Sequence, residues 1–278
     1  MKEIAKAKKI VSSDNTGVYY WVSWNPKMNK DFLVLHPGAS MNHSSLGSLE
    51  RSLNERGHPT LVFDQRGIGF SEAPADSKYY SLERYSEDLQ KMIEQEGLEK
   101  PGLITHSFGF MVASDYALRT KNVEKITGIC AAHNFAESTN PLLFHLWDKG
   151  IRHFERITWP IKKLKNSIFG EKVDYSEQDL VGGSLRDVAR SLRRVTLHES
   201  KVHVKNGDQL LHWDISDKLK EIYNPIQLIY GKNDIMVRPY EGLKIARLVK
   251  GKCNINIVEG DHTLPTTHPD RILKVISL

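Results

Sequence analysis

The stretch Leu103-Ile104-Thr105-His106-Ser107-Phe108-Gly109-Phe110-Met111 runs from an apolar strand through a tight turn into a helical segment. A junction of this kind holds a serine in a strained backbone conformation and projects its hydroxyl above the carboxyl end of the strand. Gly109 supplies a small neighbour that lets the strand and the helix approach each other. Thr105, two residues before the serine, occupies a position where a small residue is usual. The context therefore predicts Ser107 as a nucleophile on an α/β sheet.

Short, nearly continuous apolar segments lie on both sides of this stretch, and such segments are typical of a parallel sheet covered on both faces. Between two of them, apolar residues recur with helical spacing from Leu82 to Ile93, up to Gly97. The sequence predicts a doubly wound, mostly parallel α/β sheet. The predicted strands are Val18–Trp24, after the hairpin signal Asp14–Gly17, and Phe32–Leu35, Leu61–Phe63, Leu103–Ile104, Ile129–Ala132, Ile226–Tyr230 and Ile255–Val258.

A long segment interrupts the alternation of strands and helices. No convincing strand pattern occurs between about Ala136 and Tyr223, and several windows there have helical periodicity. Because a segment this long is not a plain loop, we predict a helical cap at 136–223, inserted into a core domain made of 1–135 and 224–278. The apolar residues of the cap either line an acyl pocket or form the cap's own core.

Composition excludes several classes of protein. The chain has 278 residues, of which 40% are apolar and 26% charged, so it can bury a full core. Its net charge is +5, and 13 Lys and Arg against 8 Asp and Glu between Asp148 and Lys205 account for that excess. A solvated helical face explains this charge, and no basic stripe interleaved with aromatics predicts a nucleic-acid partner. No apolar run is long enough for a signal peptide or a membrane span.

The two cysteines, Cys130 and Cys253, lie in apolar runs that predict buried strands. They have neither metal-ligand spacing nor a C-x-x-C pattern. We therefore expect reduced core thiols and a cytoplasmic location.

An acid and a histidine follow the last two predicted strands. Asp234 comes after the strand that ends at Tyr230, and His262 comes after the strand that ends at Val258. Catalytic groups collect at the carboxyl edge of a parallel sheet, so both should lie beside Ser107. Asp261 is a second carboxylate near the histidine, but adjacent residues rarely orient one another's rings. We therefore favour Asp234, although an aspartate in this position can also simply cap a turn.

Four landmarks in order resemble the α/β-hydrolase superfamily. The loop Leu35-His36-Pro37-Gly38-Ala39-Ser40 is similar to the family's His-Gly oxyanion loop, and Asp64-Gln65-Arg66-Gly67-Ile68-Gly69-Phe70-Ser71 resembles its D-x-R-G-x-G-x-S turn. The junction around Ser107 and the pair Asp234 and His262 complete the series, in the order serine, acid, histidine. The resemblance covers nearly the whole predicted core domain and implies a serine hydrolase with a helical cap, similar to carboxylesterases and monoacylglycerol lipases.

The resemblance implies a mechanism in which Ser107 attacks a carbonyl, His262 is the general base and Asp234 orients the imidazole. Backbone N–H groups of Phe108 and of Gly38 or Ala39 would hold the oxyanion, since the neighbouring proline has no N–H. This chemistry needs neither a metal nor an organic cofactor. His36 is expected to brace its loop rather than to transfer protons.

The expected reaction is hydrolysis of a small carboxylic ester, with a medium-chain ester or a monoacylglycerol as the favoured substrate. A serine nucleophile argues against epoxide opening and halide displacement, which use aspartate in this family. The junction also lacks the tryptophan-containing pattern of proline iminopeptidases, which disfavours a peptidase. Carbon–carbon bond hydrolases of the same fold are the enzymatic alternative. A ligand-binding or scaffold protein without catalysis is the alternative from a different class.

Overall fold

A mixed sheet organises the chain. The computed structural model describes residues 7–39, 41–74, 76–138, 149, 202, 205–207, 209–210 and 212–278. Their eight strands lie in the order β1-β2-β4-β3-β5-β6-β7-β8. The strands are β1 Lys8–Val11, β2 Gly17–Ser23, β3 Leu33–His36, β4 Thr60–Phe63, β5 Gly102–His106, β6 Ile126–Ile129, β7 Ile226–Gly231 and β8 Cys253–Val258.

All pairs from β4 to β8 are parallel, whereas β1 and β2 pair antiparallel with each other and β2 pairs antiparallel with β4. The central strands β3, β4, β6 and β7 are buried along their whole length, as expected for a sheet covered on both faces. The predicted mostly parallel α/β sheet is therefore confirmed. Because six strands run in the same direction, their carboxyl ends form a single edge.

Helices cover both faces of this sheet and leave two apolar clusters beneath them. Helix α2 begins at Leu82, as the spacing predicts, and ends at Gln95, just before Gly97. None of the helices in the described residues is long and apolar enough to cross a membrane. The helices are α1 Gly47–Glu55, α2 Leu82–Gln95, α3 Gly109–Thr120, α4 Phe135–Ser138, α5 Ser216–Leu219, α6 Glu241–Leu248, α7 Leu264–Thr267 and α8 Pro269–Val275, with 3-10 turns at His43–Leu46 and Ser77–Tyr80.

The predicted strand Ile129–Ala132 is wrong by three residues. Strand β6 covers Ile126–Ile129 and includes Thr127 and Gly128, which the apolar pattern left out. Cys130 lies beyond its end, with a left-handed φ of 50°. Burial at the sheet edge makes the residues after the strand apolar, so hydrophobicity alone marks the wrong boundary. Cys253 is the first residue of the edge strand β8 and is only partly buried.

The junction between the sheet and the predicted cap is visible on the core side. Asn134 and Asp214 form an antiparallel bridge, and the N–H of Ile215 donates to the carbonyl of His133 at 2.9 Å. The chain therefore leaves the core and returns to it side by side. The helical cap at 136–223 falls largely outside the described residues, and its boundaries stay a prediction.

A buried ion cluster joins the turn after β4 to two other elements. Arg66 is fully buried, and its guanidinium donates to both carboxylate oxygens of Asp88 on α2, at 2.8 and 2.7 Å. It also donates to Asp14, in the turn between β1 and β2, at 2.9 Å. Two buried carboxylates thus depend on one cation.

Replacing Arg66 with methionine should lower the free energy of unfolding by about 3–5 kcal/mol, because it leaves these buried carboxylates without a counter-charge. Urea unfolding followed by circular dichroism measures the change. The double variant Arg66→Met/Asp88→Leu should lose less unfolding free energy than the single variant, since it no longer contains the unpaired charge of Asp88. An equal loss in both variants would show that packing, not charge, dominates here.

Candidate active site

The turn after β5 has the predicted strained geometry. Ser107 has a left-handed φ of 52°, and its N–H donates to the carbonyl of Ile129 at 2.8 Å. A Cβ at Gly109 would lie 2.6 Å from Nδ1 of His36, so only glycine lets α3 approach the sheet here. The turn therefore presents the Ser107 hydroxyl at the carboxyl edge, as a nucleophile requires.

Thr105 fits this junction although a small residue is usual there. Its hydroxyl donates to the carbonyl of Thr127 at 3.1 Å, which satisfies a buried polar group. Its partner across the β5–β6 pair is Gly128, where a Cβ would lie 2.9 Å from the ring of Phe110 on α3, so glycine is needed there for α3 to pack on β6.

An imidazole and a carboxylate line up with the serine. His262 Nε2 lies 3.2 Å from Ser107 Oγ, and His262 Nδ1 lies 2.8 Å from Oδ2 of Asp234. The other oxygen of Asp234 accepts the N–H groups of Met236 and Val237 at 2.8 and 2.9 Å. Burial alone would raise the pKa of Asp234, but these hydrogen bonds, chiefly the one from His262, hold its pKa below the usual value. The carboxylate is therefore kept ionised beside the imidazole.

Asp261 has a different role. Its Oδ1 accepts the N–H and the hydroxyl of Thr263, at 2.9 and 2.6 Å, which closes the turn before α7. The structure thus brings Asp234, and not Asp261, to the ring of His262. This is the pairing that the sequence favours.

The predicted oxyanion groups lie around the same edge. Gly38 and Ala39 follow β3, and Phe108 follows Ser107 at the start of α3. In the part of the chain that the structure describes, no hydrogen bond uses the backbone N–H of any of these three residues. Their N–H groups can therefore donate hydrogen bonds to a ligand's oxygen. His36, which the resemblance implies braces its loop, has its Nδ1 2.8 Å from the carbonyl of Pro37.

His106 has a contact that the sequence does not show. Its Nε2 lies 2.8 Å from the carbonyl of His262, and the centres of the two rings are 5.0 Å apart. Burial, and to a lesser degree the nearby His262, lower the pKa of His106 to about 3, so the ring is neutral and donates from Nε2. His106 therefore holds the loop that carries His262. The only signal in the sequence is its place beside Ser107.

Potential metal ligands occur at this site. The ligand atoms of His106, Cys130 and His262 lie within 4.8 Å of one another, the only such group among the described residues. Both nitrogens of His262 contact Asp234 or Ser107, and burial raises the pKa of the Cys130 thiol well above its usual value. A metal would have to displace these contacts and deprotonate a buried thiol, so this group fits hydrogen bonding better than metal binding.

A second serine lies beside a histidine and a carboxylate. Ser138 Oγ is 3.3 Å from Nδ1 of His133 and 2.8 Å from Oε2 of Glu241. All three residues are buried, and the hydroxyl donates to the carboxylate rather than to the imidazole. This group ties the start of the predicted cap to α6 and lacks a strained turn like that of Ser107.

The fold and the aligned serine, histidine and aspartate define a class of hydrolases built on a mostly parallel sheet. A family model described as the alpha/beta hydrolase fold matches residues 31–269, and the chain belongs to that family.

Known proteins show the same relationship. The chain is 24% identical over 279 residues to a proline iminopeptidase of Saccharolobus solfataricus, covering 93% of this chain and 87% of the relative. An esterase from Exiguobacterium antarcticum superposes with a TM-score of 0.71 at 20% identity, covering 93% of each chain. A bromoperoxidase from Bacillus anthracis superposes with a TM-score of 0.73 at 18% identity, covering 97% of each. At such identities the solved structures show the fold alone.

Proposed function

We propose that this alpha/beta hydrolase cleaves carboxylic esters through a covalent acyl-enzyme, with Ser107 as nucleophile, His262 as general base and Asp234 as the orienting acid. The observation that carries the proposal is the unbroken series of contacts from Ser107 Oγ to His262 Nε2 and from His262 Nδ1 to Asp234, at 3.2 and 2.8 Å. Both lengths suit proton transfer in a structure without substrate.

In the acylation step, Ser107 Oγ bonds to the ester carbonyl carbon while its proton moves to Nε2 of His262. The π electrons of the carbonyl move onto its oxygen, and the tetrahedral intermediate forms. It collapses by breaking the bond to the alcohol oxygen, which takes the proton from His262. Water then repeats the sequence with the acyl-enzyme and releases the acid. Asp234 stays ionised and stabilises the imidazolium formed in both steps.

The oxyanion would be stabilised by the N–H of Phe108 and by that of Gly38 or Ala39. These N–H groups have no partner in the described residues, and Phe108 stands at the amino end of the 12-residue helix α3, where the helix dipole favours a negative charge. Each such donor typically contributes about 3–4 kcal/mol to the transition state.

Amide hydrolysis is a second candidate because relatives named proline iminopeptidase match most of the chain. The same serine, histidine and aspartate serve both reactions, and the leaving group distinguishes them. The acyl preference, with medium-chain esters and monoacylglycerols favoured, depends on the predicted cap. Most of that segment lies outside the described residues. The cytoplasmic location and the expectation of no nucleic-acid partner also stay predictions.

A pre-steady-state experiment tests the proposal. With p-nitrophenyl butyrate, the protein should release a burst of about one p-nitrophenolate per chain, followed by slower turnover. Mass spectrometry of quenched enzyme should place the butyryl group on Ser107. Faster turnover of proline p-nitroanilide than of the ester would instead favour the amide reaction, and no burst or turnover with either would favour a scaffold protein.

A further inference from the structure

Gln65, just after β4, contacts the loop that carries two of the proposed oxyanion donors. The residue is 1% exposed, and its Nε2 donates to the carbonyl oxygen of Gly38 at 2.6 Å and to that of Pro37 at 3.2 Å. Both hydrogens of one buried amide therefore point at consecutive backbone carbonyls. Contacts of this kind fix the orientation of peptide planes rather than of side chains.

The geometry of the peptide bond links these carbonyls to the oxyanion donors. No cis peptide bond occurs in the described residues, and in a trans peptide the C=O and the N–H point in opposite directions. Holding the Pro37 oxygen therefore directs the N–H of Gly38 away from Gln65. Holding the Gly38 oxygen does the same for the N–H of Ala39.

Neighbouring contacts hold the same loop at further points. The N–H of Met41 donates to the carbonyl of Gly38 at 3.1 Å. Asp64, the residue before Gln65, accepts the N–H of His43 at 2.8 Å. Asp64 and Gln65, two consecutive residues after β4, therefore hold the loop at both ends by hydrogen bonds. Gly38 and Ala39 lie at the end that Gln65 holds.

We propose that Gln65 is a positioning residue for the oxyanion hole: it holds the carbonyls of Pro37 and Gly38 so that the N–H groups of Gly38 and Ala39 face the substrate before it binds. The inference rests on the proposed function and extends it to a buried residue that acts through the backbone of the oxyanion loop. Donors that are already oriented before the substrate binds stabilise the developing oxyanion without reorganisation. Loss of the two Gln65 hydrogen bonds should therefore affect the transition state more than substrate binding.

A pair of substrates that differ in one atom tests this role. In p-nitrophenyl thionobutyrate, sulfur replaces the carbonyl oxygen of p-nitrophenyl butyrate, and sulfur is a poorer hydrogen-bond acceptor. Gln65→Met keeps the side-chain volume but has no N–H. The variant should lower kcat/KM for the oxygen ester about 10- to 100-fold, mainly through kcat, and change the thionoester rate by less than about threefold. The ratio of the oxygen-ester rate to the thionoester rate should therefore fall sharply in this variant.

Gln227 provides a matched control near the amino end of β7, at the sheet edge opposite the proposed site. It is also buried, and its Nε2 donates to Oδ1 of Asn256 and to the carbonyl of Val275, both at 2.8 Å. Gln227→Met should cost stability but leave the oxygen-to-sulfur preference unchanged. Should Gln65→Met fail to fold, Gln65→Asn serves instead, because it keeps the amide but is one methylene too short to reach Gly38.

The outcomes separate the two proposals. An equal fall of both rates in the Gln65 variants, or an unchanged preference, would overturn the positioning role. If the wild-type protein shows neither burst nor turnover, the proposed function fails and the positioning role fails with it. If Ser107 is acylated and yet the preference survives in the Gln65 variants, only the positioning role is lost.

Discussion

Replacing Ser107 with alanine is expected to lower kcat for p-nitrophenyl butyrate by about 10⁶-fold, the scale seen when a catalytic serine is removed from a serine hydrolase. The variant has no oxygen to form the acyl bond, so both the burst and the labelling by a fluorophosphonate should disappear. Its fold should be intact, because the one hydrogen bond of the Ser107 hydroxyl within the described residues is to Nε2 of His262. Alanine adopts the left-handed φ of 52° at a similar cost to serine.

Ser138→Ala is the matched control for this experiment. It also removes a buried hydroxyl that contacts a histidine and a carboxylate, His133 and Glu241. We expect this variant to keep its burst and its labelling. Labelling that survives in Ser107→Ala, or that disappears in Ser138→Ala alone, would contradict the assignment of Ser107.

The sheet could be predicted because its strands are buried on both faces. Strands such as β3, β4 and β7 are buried along their length and mostly apolar, and their boundaries are correct to within one residue at each end. The pattern failed at β6, where Thr127 and Gly128 are part of the strand and apolar residues continue past its end. Thr127 lies in the strand because its backbone pairs with Ile104 on β5 and Gln227 on β7, and pairing between distant residues is something that hydrophobicity does not report.

The sequence could predict only those residues of the candidate site whose location follows from their position in the chain. Ser107, Asp234 and His262 each follow a strand, so the common direction of the strands places them at one edge. The side chains that support them were not predicted in those roles. His106 and Gln65 bind backbone carbonyls of other loops, and these contacts depend on how loops far apart in sequence pack together.

Changing Asp234 to asparagine should lower kcat by about 10⁴-fold with little change in KM. The carboxylate accepts the N–H groups of Met236 and Val237 on one oxygen and faces Nδ1 of His262 with the other. Asparagine keeps the first oxygen but presents an NH₂ group to the ring. Nδ1 must then accept, the proton moves to Nε2, and the nitrogen beside Ser107 can no longer take a proton from the hydroxyl.

Asp261→Asn is the control that separates the two aspartates near His262. The Asp261 oxygen that closes the turn accepts only from Thr263, and an amide oxygen does the same, so kcat should stay within about threefold of wild type. Steady-state kinetics with p-nitrophenyl butyrate gives both values, and circular dichroism checks the fold. A large loss in Asp261→Asn together with a small one in Asp234→Asn would reverse the assignment, since the residue that sets the tautomer of the ring must also govern proton transfer from Ser107.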